Sequence, residues 1–155
     1  MTFGELIEGL GKKLGVEIED AGGAAALEID GQAVILQQAG DDLLLVRADL
    51  GEIPPDRRDA LACAALEANY LYQGTGGSTL AFNPGDGHLH LQRYNWLERI
   101  DADQALETLT RFADISAAWK RLVADIPATE IPAASIPAAE YSAPPEFNPN
   151  GFLSV

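Results

Sequence analysis

The sequence has one cysteine, few basic residues and no long apolar run. Because Cys63 has no second cysteine to pair with, an internal disulfide is excluded and a reducing compartment is favoured. Ten Lys and Arg against 24 Asp and Glu give a net charge of −14, which makes nucleic acids and anionic membrane surfaces poor partners. No segment reaches the roughly 20 apolar residues of a membrane span. The acidic start, MTFGELIEGLGKKLG, argues against a secretory signal.

The composition is otherwise that of a globular chain, with a change at Pro127. Residues 127–155 hold six of the nine prolines and no lysine or arginine. We therefore expect residues 1–126 to form one domain and residues 127–155 to form a disordered Pro/Ala-rich tail. Within this region Ile-Pro-Ala recurs at 126, 131 and 136. The repeat suits either a polyproline-II docking strip or a stiff spacer.

Helical and strand periods alternate upstream of the tail. Thr2 and Glu5 fit a capping box at the start of a first helix, and Gly15 follows its last turn. A second helix is predicted from the Pro-Pro-Asp at 54–56 to about Tyr72. A third runs from about 101 to 125 with one apolar stripe: Ala105, Leu109, Phe112, Ser116, Trp119 and Val123.

Five strand-like segments lie between these helices. Strands are predicted at 24–29, 33–38 and 43–48, with a further hairpin at 78–82 and 88–93. Their short turns impose antiparallel pairing. The predicted fold class is α+β, in the order helix, three strands, helix, two strands, helix, with a twisted antiparallel sheet.

Three segments suggest chemistry, each with a plainer structural interpretation. The glycine-rich GTGGST at 74–79 follows a helix, enters a strand and lacks lysine, so a helix stop fits better than a phosphate loop. His88 and His90 share one strand face near Asp86 and could hold zinc, but a half-solvated strand has the same pattern. Cys63 lies among alanines and is expected to be buried. No spacing indicates an enzyme, a metal site or a cofactor.

Several strings resemble the CesT-type (Tir chaperone) family of type III secretion chaperones. They are LIEGLGKKLGV, ADLGEIPPD, LEANYLYQGTGGSTLAFNPGDGHLHLQR and RFADISAAWKRL, and the resemblance covers about residues 3–125. It implies a bacterial cytoplasmic homodimer with no enzymatic activity and no nucleotide. Such a protein would hold the amino-terminal segment of a secreted effector in extended form and present it to export components.

The resemblance also implies two sets of contact residues. The dimer interface would involve Leu66, Tyr70, Leu71 and Leu80. Grooves for the effector would be lined by Leu6, Leu10, Leu14, Leu36, Leu43 and Leu45. A one-residue change in strand register would turn the sheet leucines to the opposite face.

Two other functions stay open on the sequence alone. One is a small α+β adaptor or regulator that shares the fold but has no secreted client. The other is a small enzyme or metal-binding domain built on His88 and His90. The tail could contact export components, contact the client or simply increase solubility.

Overall fold

The structure is a computed structural model and describes residues 1–125, so the predicted tail lies outside the described residues. The described chain forms three helices and five strands, and the predicted α+β element order is confirmed. In chain order these are α1 (Phe3–Leu14), β1 (Ala24–Ile29), β2 (Gln32–Ala39), β3 (Leu43–Glu52), α2 (Arg58–Asn69), β4 (Thr79–Asn83), β5 (His88–Trp96) and α3 (Ala102–Asp125).

The five strands form one antiparallel sheet in the order β1-β2-β3-β5-β4. The predicted three-stranded meander is therefore present, and the second hairpin joins it through β5. Alternate residues of each strand point to one buried face, which we call the inner face. The other face of the sheet is the outer face.

Helix α3 covers the inner face, as its apolar stripe predicts. All six stripe residues are buried, and Trp119 and Phe112 are the largest of the fully buried side chains. Within residues 1–125 no helix is both long and apolar enough to cross a membrane.

Helix α1 packs against α3 through its own buried apolar face. The capping box is present, because Thr2 Oγ1 accepts from Glu5 N–H and the Glu5 carboxylate accepts from Thr2 N–H. Gly9 explains how the helices approach: a Cβ there would lie 2.9 Å from the Cβ of Ala102. Gly9 weakens α1 by about 1 kcal/mol, but it also permits the close contact with α3 that stabilises the helix.

Three elements end three or four residues away from the end that the sequence predicts. Helix α2 ends at Asn69 rather than near Tyr72, because Leu71 takes a left-handed conformation with φ +52° within a 3-10 turn. Strand β3 continues to Glu52 through a bulge at Gly51, where φ is +110°. Strand β5 continues to Trp96 and pairs along the full length of β3.

Candidate functional site

The outer face of the sheet carries a cluster of apolar side chains at one end. Leu43 lies directly opposite Trp96, and Leu45 lies opposite Tyr94, across the β3–β5 pair. Ile35 of β2 joins them on the same face. We call these five residues the outer-face cluster. Tyr94 and Trp96 are 56% and 50% exposed, so the cluster offers aromatic surface that the described residues leave open.

The opposite end of the outer face is polar. His88 Nδ1 lies 2.9 Å from the Asp49 carboxylate, and His90 Nε2 lies 3.4 Å from Asp86. The hydrogen bond to Asp49 raises the pKa of His88 above its ordinary value. Burial acts to raise the pKa of Asp49, but bonds from Gly51 N–H and His88 outweigh it, and the pKa is lowered.

These histidines therefore form carboxylate pairs. The structure brings His88, His90 and Asp86 together as predicted, with the imidazole centroids 6.3 Å apart. Across residues 1–125, however, no three His, Cys, Asp or Glu side chains are arranged to hold a metal ion. Each imidazole instead has its own carboxylate partner.

A second exposed apolar surface lies at the end of α2. We call it the α2 cluster: Leu66, Tyr70, Leu71 and Tyr72. Leu66 and Tyr70 are 71% and 69% exposed. The Arg58 guanidinium lies 5.2 Å from the centroid of the Phe82 ring, which joins the start of α2 to β4.

Two side chains hold the segment after α2 in place. Asn69 Nδ2–H donates to the Leu80 carbonyl at 3.1 Å, and its Oδ1 accepts from Leu80 N–H at 2.9 Å. Trp119 Nε1–H donates to the Gly74 carbonyl at 2.9 Å. The segment 74–79 is thus a helix stop that leads into β4, as the sequence predicts.

Cys63 is exposed, so the prediction that it is buried was wrong. The buried side of α2 is formed by Leu61, Ala64, Ala65 and Ala68. Cys63 lies on the other side of the helix, where an alanine-rich sequence gives little indication of orientation.

The six predicted effector-contact residues divide into two sets. Leu6, Leu10 and Leu36 are fully buried, because a small domain uses them to fill its core, and they are not accessible in the folded chain. The other three keep some exposure: Leu14 at the end of α1, and Leu43 and Leu45 on the outer face.

The four predicted dimer-contact residues divide similarly. Leu66, Tyr70 and Leu71 are exposed and lie in the α2 cluster. Leu80 is only 5% exposed, because it points inward opposite Leu91, and its side chain cannot reach a second chain in this conformation.

Sequence reasoning missed three members of the outer-face cluster: Ile35, Tyr94 and Trp96. The signal was present in β5, because the alternation that places His88 and His90 on one face continues at every second residue to Trp96. Ending the predicted strand at 93 removed both aromatic residues from it.

Helices cover the inner face of the sheet, and one end of its outer face is apolar and exposed. The fold is therefore a small α+β domain with surface available for another protein. A family model described as Tir chaperone protein (CesT) family matches residues 5–120. The chain belongs to this family, and the resemblance noted in the sequence is confirmed.

Solved structures of the same fold agree with this assignment. A chain of the Yersinia Pestis type III secretion chaperone SycH, in complex with a stable fragment of YscM2, is 22% identical with a TM-score of 0.63. The match covers 76% of this chain and 99% of that chain. At this identity the likeness establishes the fold.

Two further structures match in the same way. A chain of the HopA1-SchA chaperone–effector complex is 19% identical with a TM-score of 0.58, over 78% of this chain and 91% of that chain. A chain of the heterodimeric ExoU-SpcU complex, from the type III secretion system of Pseudomonas aeruginosa, is 16% identical with a TM-score of 0.62. That match covers 76% of this chain and 96% of that chain. No curated protein sequence matches the chain significantly.

Proposed function

We propose that the protein is a type III secretion chaperone. It binds the amino-terminal segment of an effector in extended form, keeps it soluble and export-competent, and presents it to the secretion apparatus. Membership of the CesT family over residues 5–120 is the observation that carries this proposal. On the same basis we propose that it acts in the bacterial cytoplasm as a homodimer, with no enzymatic activity or cofactor.

We assign client binding to the outer-face cluster. Exposed aromatic side chains at the centre of an apolar patch are typical of surfaces that bind other proteins. Of the six leucines proposed from the sequence, Leu43 and Leu45 belong to this surface. Leu14 stays a candidate at the end of α1, whereas Leu6, Leu10 and Leu36 serve the core.

The charge of the chain favours a basic client segment. A net charge of −14 attracts positively charged segments at long range and keeps copies of the chain apart. Both effects suit a protein that must expose apolar surface and stay soluble.

We assign dimerisation to the α2 cluster. Leu66, Tyr70 and Leu71 are all exposed and lie close together in the sequence, at the end of α2 and in the turn that follows it. In a two-fold dimer both copies contribute the same surface, so each of these residues would be buried in both copies. The outer-face cluster lies on other strands and stays available for a client.

Co-expression with amino-terminal fragments of candidate effectors tests the function. We expect one fragment to co-purify stoichiometrically, with a native mass that equals chaperone dimer plus client. If every candidate fails while the protein itself is a folded dimer, the adaptor interpretation takes the place of the secretion-chaperone proposal.

The client surface has its own test, Trp96→Ala. About half of the indole is exposed, so roughly 100 Å² remains to be buried by a client, which corresponds to about 2.5 kcal/mol or about 60-fold in Kd. Val16→Ala is the matched control, because Val16 is 54% exposed and lies outside the cluster. Equal client affinity in the two variants would refute the assignment.

A further inference from the structure

Arg93 is a cation on the inner face of the sheet. It follows Leu89 and Leu91 at alternate positions of β5, both of which are buried, and it lies opposite the buried Val46 of β3. An arginine in such a position loses hydration and normally gains a carboxylate partner.

Among residues 1–125 no carboxylate forms an ion pair with Arg93. Its Nε–H donates to Asn95 Oδ1 at 3.2 Å and its Nη1–H donates to the Gly76 carbonyl at 3.0 Å. A guanidinium has about five N–H donors, so about three of them have no acceptor among the described residues and are left for solvent or a ligand. Asn95 Nδ2 is also buried without an acceptor in the described part of the chain.

The environment of Arg93 disfavours its charge. Burial, with a contribution from nearby Arg111, lowers the pKa of Arg93 below its ordinary value. Donors thus exceed acceptors around the Arg93 guanidinium, and no carboxylate of the described residues pairs with its charge. An acceptor carrying negative charge would correct both.

A cavity of about 470 Å³ opens beside Arg93, within the size range of small-ligand sites. It lies between α3 and the segment that leads into β4, and Ser78, Gln104, Thr108 and Arg111 contribute polar groups to its lining. Gly77 has φ +84°, and a Cβ there would approach Arg93 Nη1 to 3.2 Å. Glycine at this position leaves room around the guanidinium.

The charges at the rim limit what the cavity can hold. Arg111 pairs with Glu107 at 2.8 Å on the exposed surface, and Asp114 also lines the opening. Two carboxylates at the rim penalise a doubly charged phosphate more than a singly charged carboxylate. A carboxylate also matches the planar donor fork of arginine in a bidentate geometry.

We propose that this cavity binds a carboxylate group, held by Arg93 within the cavity and by Arg111 at its rim. The carboxylate can come from a free small acid or from an acidic side chain of a bound peptide. A chain of net charge −14 repels free anions, whereas a peptide held nearby supplies the same group at high effective concentration. The binding chemistry does not depend on the chaperone proposal.

The test is a nuclear magnetic resonance titration that follows the Nε–Hε signal of Arg93. The probes are sodium propionate, inorganic phosphate, and the peptide N-acetyl-Ala-Glu-Ala-amide with its Gln counterpart, all at constant ionic strength set with sodium chloride. We expect saturable shifts with propionate and the Glu peptide, and none with chloride or the Gln peptide. Tighter binding of the Glu peptide than of propionate identifies a peptide side chain as the preferred source, and the reverse identifies a free acid.

Arg111→Gln is the main variant, because its side chain is exposed and its ion pair is with Glu107 on the same helix. We expect it to weaken carboxylate binding about tenfold. Arg99→Gln removes the same charge from an exposed arginine that pairs with Glu98 outside the cavity, and it should leave binding unchanged. Absence of a saturable shift, phosphate binding tighter than carboxylate, or equal affinities in the two variants would overturn the proposal.

Discussion

Leu66→Ala should weaken the dimer without weakening the fold. Leu66 is 71% exposed in the single chain, so the truncation removes little of the monomer core. In the dimer we propose, its side chain is buried against the second copy. Loss of most of that burial costs roughly 1 kcal/mol per copy and about 2 kcal/mol per two-fold dimer, which weakens Kd about 30-fold.

The substitution Leu66→Arg should have a larger effect. It places two positive charges across the symmetry axis of the interface and buries both without a partner. We expect only monomer over the accessible concentration range. The thermal midpoint of that monomer should stay close to that of a dilute, dissociated wild-type sample.

Sedimentation equilibrium from about 1 to about 300 µM measures these shifts directly. Val16→Ala is the matched control, since it removes an exposed aliphatic side chain from another surface. The reasoning fails if Leu66→Ala and Val16→Ala have the same Kd within about threefold. It also fails if the wild-type chain is monomeric at about 100 µM, because the exposed α2 cluster would then have no second copy to cover it.

Three further predictions concern the scaffold. Asn69→Ala should lower the free energy of unfolding by about 2 kcal/mol, since it removes both bonds to the Leu80 backbone, and chemical denaturation measures this. Trp119→Phe should cost about 1–2 kcal/mol, because it leaves a buried carbonyl without its donor, and an unchanged denaturation midpoint would contradict this. Asp49→Asn should reduce thermal stability most below about pH 6.5, the ordinary pKa of histidine, and progressively less as pH rises. The raised pKa of His88 makes the pair stabilising at low pH, and this stabilisation is lost as pH rises through the folded-state pKa. A melting-temperature difference that grows with rising pH would refute the last prediction.

Local patterns predict the elements of this fold well. The capping box at Thr2 and Glu5 and the left-handed Gly15 bound α1 as expected, because both act through backbone groups within a few residues. The stripe that ends at Val123 likewise sets the buried face of α3. These features need no information from distant parts of the chain.

Which apolar residues stay exposed depends on distant contacts. The helical period shows that Leu6 and Leu10 share one face of α1, but a buried face and a groove for a client have the same pattern. Both residues lie in the core because α1 packs against α3. For Leu36, the pairing register of β2 decides. Helix α2 is nearly as apolar on one side as on the other, so its sequence does not show which side packs against the rest of the domain. Cys63 is exposed because the opposite side, with Leu61 and Ala65, is the buried one.

The outer face changes character along one pair of strands, and this restricts where a client can bind. Trp96 and His88 stand at opposite ends of β5, eight residues or roughly 26 Å apart. Trp96 lies directly opposite Leu43 of β3, whereas the His88 side chain is hydrogen-bonded to Asp49 of β3. An apolar segment gains by covering the first end, but at the second it would have to remove water from polar groups that already have hydrogen-bond partners. Client binding should therefore be weakened by Trp96→Ala and retained when His88 and His90 are both replaced by alanine. Calorimetric titration of both variants with one co-purified client fragment makes that comparison. The opposite result would place the client at the polar end of the sheet and refute the assignment to the outer-face cluster.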